Sequence, residues 1–224
     1  LPGNVGLAVG PDVDYVRVRI TEPPSGVWDG RGGAEVGEEM ILAKDLMSHV
    51  LRHKVEVISE IKGSDLEGRK YISPFPGAID GDNHPAAWTV VTADFVTTTD
   101  GTGIVHTAVM YGEDDYNLGM KVGFPAQHTV DMNGQFLDGT HPELDGRYVK
   151  ECDDSIIDLL QLSGRLYREH QYVHDYPHCW RTDHPLLYYA MDSWFVRMTA
   201  VKDSIMQHNE SVEWAPPSTG TGRM

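Results

Sequence analysis

The apolar and polar positions of this chain fall into many short runs, most with the period of a strand. Tyr15-Val16-Arg17-Val18-Arg19-Ile20 alternates strictly, and Val5 to Val9 forms a short apolar run just before it, with Gly10-Pro11-Asp12 between them. That pattern predicts a hairpin. Met40-Ile41-Leu42-Ala43 reads as a buried strand, and Lys54 to Lys62 as an alternating one with Val55, Val57 and Ile61 on one face and Ile58 out of pattern. Trp88 to Val91 opens a further strand, Phe95 to Thr99 another, and Ile104-Val105 a third after the Asp100-Gly101 turn. His128 to Asp131 and Gln135 to Leu137 flank Asn133-Gly134, a second hairpin signal. Leu186 to Met198 mixes aromatic and aliphatic residues and reads as a buried strand.

Helical spacing is rarer. Asp45 to Leu51 suits a short helix, and Glu113 to Met120 a longer one that starts on acidic residues and stops at Gly123-Phe124-Pro125. Asp153-Asp154-Ser155 supplies N-cap candidates for a helix bearing Ile156, Ile157, Leu159, Leu160 and Leu162, with Gly164 as its stop. Ala200 to Asn209 suits a last helix, followed by a polar tail over 216–223. Glu22 to Gly37, Gly63 to Gly68 and Ser73 to Pro85 are rich in turn residues and read as loops. Strands outnumber helices and do not alternate with them as βαβ units. The expected fold is therefore α+β, with a mainly antiparallel, β-barrel-like core and flanking helices.

Composition narrows the classes. The chain has 224 residues, enough for one large domain, or one domain with an appendage. Its net charge is −16, from 18 basic and 34 acidic residues, which excludes a broad basic face for nucleic acid. Cys152 and Cys179 lie far apart and read as free thiols of a reducing compartment, which implies a cytoplasmic protein. No apolar run approaches the roughly 20 residues of a membrane span. The sequence opens at Leu1-Pro2 without Met, as a piece of a longer chain does. Trp88, Trp180 and Trp194 are expected in the core.

One stretch concentrates chemistry. From Ala93 it runs ADFVTTTDGTGIVHTAVMYGEDD, bringing hydroxyls, bare glycine backbone, His106 and the carboxylates Glu113, Asp114 and Asp115 within about twenty residues. Each has a plain structural reading too. His106 can merely end a strand, Asp115 can face solvent at a helix start, and threonine is a good strand residue. His170, His174 and His178 stand four apart, a metal-ligand stripe if helical, but Pro177 interrupts any such helix.

DGTGIVHTA followed by YGEDDYNLGM resembles the editing domain of isoleucyl-tRNA synthetases. LPGNVGLAVGPDVDYV, GSDLEGRKY, YPHCWR, SWFVRM and NESVEWAPPSTGTGRM extend the resemblance over nearly the whole chain. The resemblance implies a β-barrel-like core with flanking helices, residues 1–182 forming the editing core and 183–224 a return segment toward the synthetic domain. It implies hydrolysis of valine misattached to tRNA(Ile), with the tRNA acceptor end, the valine moiety and the rest of the synthetase as partners. It further implies a monomer with no cofactor in this part, ATP and magnesium serving the full-length enzyme. Carried over by motif, His106 and Asp115 are the catalytic pair: Asp115 holds the substrate's α-ammonium, and His106 bonds the ribose or the attacking water, as a base or as a positioner. Thr98, Thr99, Gly101, Thr102, Gly103 and Tyr176 are implied substrate-binding residues. Some family members bind zinc through a second cysteine after CWR; here that position is Thr182, so no metal is expected. The family also places a threonine-rich strand before LPGN, where this sequence begins. Its absence implies weak activity for the piece alone. Three other readings stand beside this one: a valyl-type editing domain clearing threonine, a non-catalytic insertion that positions the acceptor end, and a histidine-based metal hydrolase.

Overall fold

The computed structural model describes residues 1–24, 30–81, 84–171 and 173–222. Part of the Glu22–Gly37 loop and the end of the 216–223 tail thus lie outside the described residues. The chain forms two compact units, residues 1–190 and 191–224.

The first unit holds two three-stranded sheets. β1 (Gly6–Val9) is the centre of one, flanked by β5 (Thr89–Thr92) in parallel and β6 (Ile104–Thr107) antiparallel. β2 (Asp14–Glu22) is the centre of the other, between β3 (Glu39–Ala43) and β4 (Lys54–Lys62), both antiparallel. The architecture is α+β with mainly antiparallel pairing, but the described strands do not close into a barrel.

β1 and β2 do not form the expected hairpin. The Gly10–Val13 turn sends them into different sheets, where each strand is completed on both edges by distant segments. The alternation of β2 is real: Tyr15, Val16, Val18 and Ile20 are buried, while Arg17 and Arg19 reach out to share the Glu39 carboxylate of β3. Tyr15 ties the sheets together. Its hydroxyl donates to the Gly103 carbonyl at 2.6 Å and accepts the Gly10 N–H at 3.0 Å.

Phe95 to Thr99 forms turns rather than a strand. The edge it would need is occupied, because Val90 of β5 exchanges backbone bonds with Gly68 and Arg69. Val96 is drawn into the core instead, beside Val5, Val91 and Val109. The Asn133-Gly134 signal is realised as a tight turn with one bridge, Val130 to Phe136, braced by the Asp131 carboxylate accepting the N–H groups of Asn133 and Gln135.

α1 (Met47–Val50) is a single turn. α2 (Glu113–Val122) starts on three carboxylates and ends at Gly123, whose φ of 81° is the left-handed conformation that suits glycine. α3 (Asp153–Leu162) buries Ile156 and Leu160 against Phe75, Phe136 and Leu144. Its N-cap is Cys152, with no side-chain cap; Asp153, Asp154 and Ser155 lie in the first turn. Arg31 crosses to this helix and binds Asp154, Asp158 and Glu169.

The second unit contains α4 (Met198–Glu210) and α5 (Ser218–Gly222), so the expected polar tail carries a short helix. Leu186 to Met198 is not a buried strand. Trp194 and Phe195 are fully or almost fully exposed, and Trp180 of the first unit is 85% exposed, contrary to the core placement expected of both tryptophans. A mixed apolar run looks the same in sequence whether it faces a core or a surface. Among the described residues no helix is long and apolar enough to cross a membrane.

Candidate active site

β6 ends in His106-Thr107, and its pairing with β1 sets Leu7 opposite His106. Thr107 is wholly buried, which pins the strand end. A short 3-10 turn (Val109–Tyr111) follows, and Gly112 starts α2. Asp115 then falls in the first turn of α2, where the helix dipole favours a negative charge. The Ala108 N–H donates to Asp115 Oδ2 at 3.2 Å, fastening the carboxylate to the strand that carries His106. Oδ1 accepts no hydrogen bond from a described residue, leaving it open to a cationic ligand.

His106 and Asp115 line one cavity of about 340 Å³. Its floor is apolar, with Val130, Phe136 and Ile156, and its rim carries Lys150, Asp153 and Tyr176. The Tyr111 oxygen accepts the N–H groups of Thr129 and Val130 at 2.6 and 2.9 Å, fixing the backbone on that side. Tyr189 closes another side; it stacks on His128 at 4.1 Å and its hydroxyl donates to the Val130 carbonyl. Residues 184–190 belong to the cavity-bearing unit.

The environment shifts both ionisable groups. Crowding by protein pushes His106 down to about 4. The residue nevertheless remains exposed, so cavity water screens part of that effect; His106 is a neutral imidazole at pH 7 either way. Burial pushes the half-buried Asp115 carboxyl above its usual range, opposed by the Ala108 N–H and reinforced by Asp114.

The other expected residues separate. Tyr176 does line the cavity, but its hydroxyl is engaged, donating to the Leu186 carbonyl at 2.6 Å and accepting from Lys150 at 2.8 Å. Its ring is what it offers a ligand. Thr98, Thr99, Gly101, Thr102 and Gly103 do not line this cavity. Gly103 serves packing: its carbonyl accepts from Tyr15, and a Cβ there would lie 2.5 Å from the Ala43 side chain. Thr102 folds back on Ile104, and Thr97 bonds Thr99. The physical reason is the turn itself, which places these residues at one end of β6 and His106 toward the other.

Among the described residues, no three His, Cys, Asp or Glu side chains cluster as a metal site would require. The described residues of the stretch holding His170, His174 and His178 form no helix, so they do not show the stripe. Sequence reasoning missed Tyr111, Lys150 and Asp153. Tyr111 stood inside the MYGEDD motif, adjacent to the recognised carboxylates; Lys150 and Asp153 carried no local signal.

No model of a known protein family matches the chain. Among solved structures, the GlLeuRS-CP1 crystal structure superimposes with a TM-score of 0.52 at 19% identity, covering 76% of this chain and 82% of that one. The cytosolic leucyl-tRNA synthetase editing domain of P. knowlesi gives 0.51 at 11% identity, over 75% and 80%. The fold is thus that of a synthetase editing domain. In sequence the chain is homologous, end to end, to one segment of the isoleucine–tRNA ligases. It is 43% identical over 223 residues to that of Clostridium novyi (strain NT) and 41% over 224 residues to that of Bacillus thuringiensis (strain Al Hakam). The chain spans 20% of the length of these relatives.

Proposed function

We propose that this chain is the editing segment of an isoleucyl-tRNA synthetase and hydrolyses valine misattached to tRNA(Ile). One observation carries the reading: a single cavity joins a neutral imidazole, His106, to a carboxylate, Asp115, that has one oxygen open. The substrate is an aminoacyl ester with a free α-ammonium. Asp115 pairs with that ammonium through Oδ1, in a partly desolvated setting where such a pair is strong. Ion pairing in turn favours the ionised carboxylate, against the upward push of burial. Water attacks the ester carbonyl, and the ribose hydroxyl leaves. His106 with a depressed pKa is a poor bulk base at neutral pH, so its work is to orient water or the ribose by hydrogen bonding.

Selectivity for valine follows from size. One methylene in an apolar pocket is worth about 1–3 kcal/mol; the isoleucine–valine pair is itself the standard case, with a known discrimination of about 150-fold. A second site that admits valine and excludes isoleucine removes the residual error. On this reading the partners are the tRNA acceptor end and the rest of the synthetase, while ATP and magnesium serve the synthetic reaction elsewhere in that protein.

Deacylation of valyl- and isoleucyl-tRNA(Ile) tests this in the synthetase that carries the segment. The valyl ester is cleaved and the isoleucyl ester spared, and Asp115→Ala slows the first by about 100-fold or more. Equal cleavage of both esters, or an unaltered rate in Asp115→Ala, would sink the reading. Acceptor-end binding without any hydrolysis would point instead to a positioning insertion.

A further inference from the structure

Among the described residues, Lys150 is the one lysine or arginine on the wall of the cavity. Three lysines of the first unit, Lys44, Lys54 and Lys62, each hold an ion pair with a carboxylate. Lys150 pairs with no described carboxylate, not even Asp153 on the same wall. Its ammonium donates to the Tyr176 hydroxyl at 2.8 Å and lies 4.1 Å from the centroid of that ring. Both contacts hold the side chain in place and neither cancels its charge. Lys150 is exposed as well as lining the cavity, which places it at the mouth.

This position has a consequence that rests on the editing reading above. An aminoacyl ester of RNA enters with its amino acid and terminal ribose inward. Its first phosphodiester stays at the mouth. A chain of net charge −16 repels a polyanion over most of its surface, so the anion needs a local cation where it meets the protein. We propose that Lys150 binds the phosphodiester of the substrate's terminal nucleotide and so sets how deep the ester enters.

The test uses two inert probes with this chain. One is a CCA-ended RNA minihelix carrying valine on a non-hydrolysable amide at its terminal ribose. The other is the matching valyl-amide nucleoside, which has no phosphate. Lys150→Ala weakens the minihelix on the order of tenfold and flattens its salt dependence by about 0.7 in log–log slope, as loss of one contact to a single strand should. The nucleoside binds the variant and the parent alike, and Lys150→Arg restores the minihelix. Equal weakening of both probes would show that Lys150 only shapes the wall through Tyr176. No weakening of either, or no binding of the minihelix by the parent chain, overturns the proposal. Because the probes do not react, a failure of hydrolysis is scored separately: the Lys150 pattern without turnover would leave a binding site and remove the editing reading.

Discussion

His106 and Asp115 are pulled in opposite directions by one physical cause. Burial disfavours charge, so it lowers the imidazole and raises the carboxyl. For His106 the linkage has a definite sign. The unfolded chain takes up this proton near pH 6.5, and the folded chain takes it up only at lower pH, toward 4 as far as cavity water does not screen the effect. Stability therefore falls as pH drops through that window. His106→Asn is expected to remove this slope, read as the urea midpoint at a series of pH values; the same slope in both proteins would contradict it. Activity should follow the same chemistry. Hydrolysis stays level from neutral pH down past 6.5 and declines only in the region of the shifted His106 and Asp115 groups. An acid limb centred at 6.5 would show that His106 titrates as it does in water.

At the scale of elements, the join between the two sheets is more specific than the strands themselves. Tyr15 leaves β2, crosses the core and holds both Gly10 at the end of β1 and Gly103 at the entrance to β6. Tyr15→Phe strands a buried N–H and a buried carbonyl, a loss of about 1–3 kcal/mol. The denaturant midpoint should fall with an unchanged m-value, and a midpoint within error of the parent would refute the joining role. Strand propensity was legible here: β2, β3, β4 and β5 stand close to where alternation puts them, and α2 and α3 run between the acidic starts and the glycine stops. Pairing was not legible. Val5–Val9 and Tyr15–Ile20 are adjacent in sequence and separate in space, because each found both of its neighbours elsewhere.

At the scale of the molecule, surplus negative charge works against compactness. Arg31 gathers three carboxylates from α3 and the segment after it, and its removal leaves Asp154, Asp158 and Glu169 facing one another. The melting temperature should rise when sodium chloride goes from about 20 to about 200 mM, since the shorter Debye length, below about 8 Å at the higher salt, screens the repulsion among the surplus charges. Arg31→Ala should steepen that rise. A melting temperature that falls with salt in both proteins would mean that the exposed ion pairs, each worth about 0–1 kcal/mol, outweigh the net repulsion.

That His106 and Asp115 share a cavity was readable from the chain because they are only nine positions apart. A strand end, a short turn and the first turn of a helix bring them to one cavity by local geometry alone. The GTG glycines were equally visible, but sequence shows that a backbone can approach something closely and does not show what; here Gly103 meets Ala43 and Tyr15. Tertiary structure alone decided the rest. Lys150, Asp153 and Tyr189 reach the cavity of His106 from 44 to 83 positions away, and nothing in their neighbours' sequence encodes that meeting. Periodicity records which face of an element is buried. It does not record against what, because burial is non-directional while a site depends on which particular side chains converge.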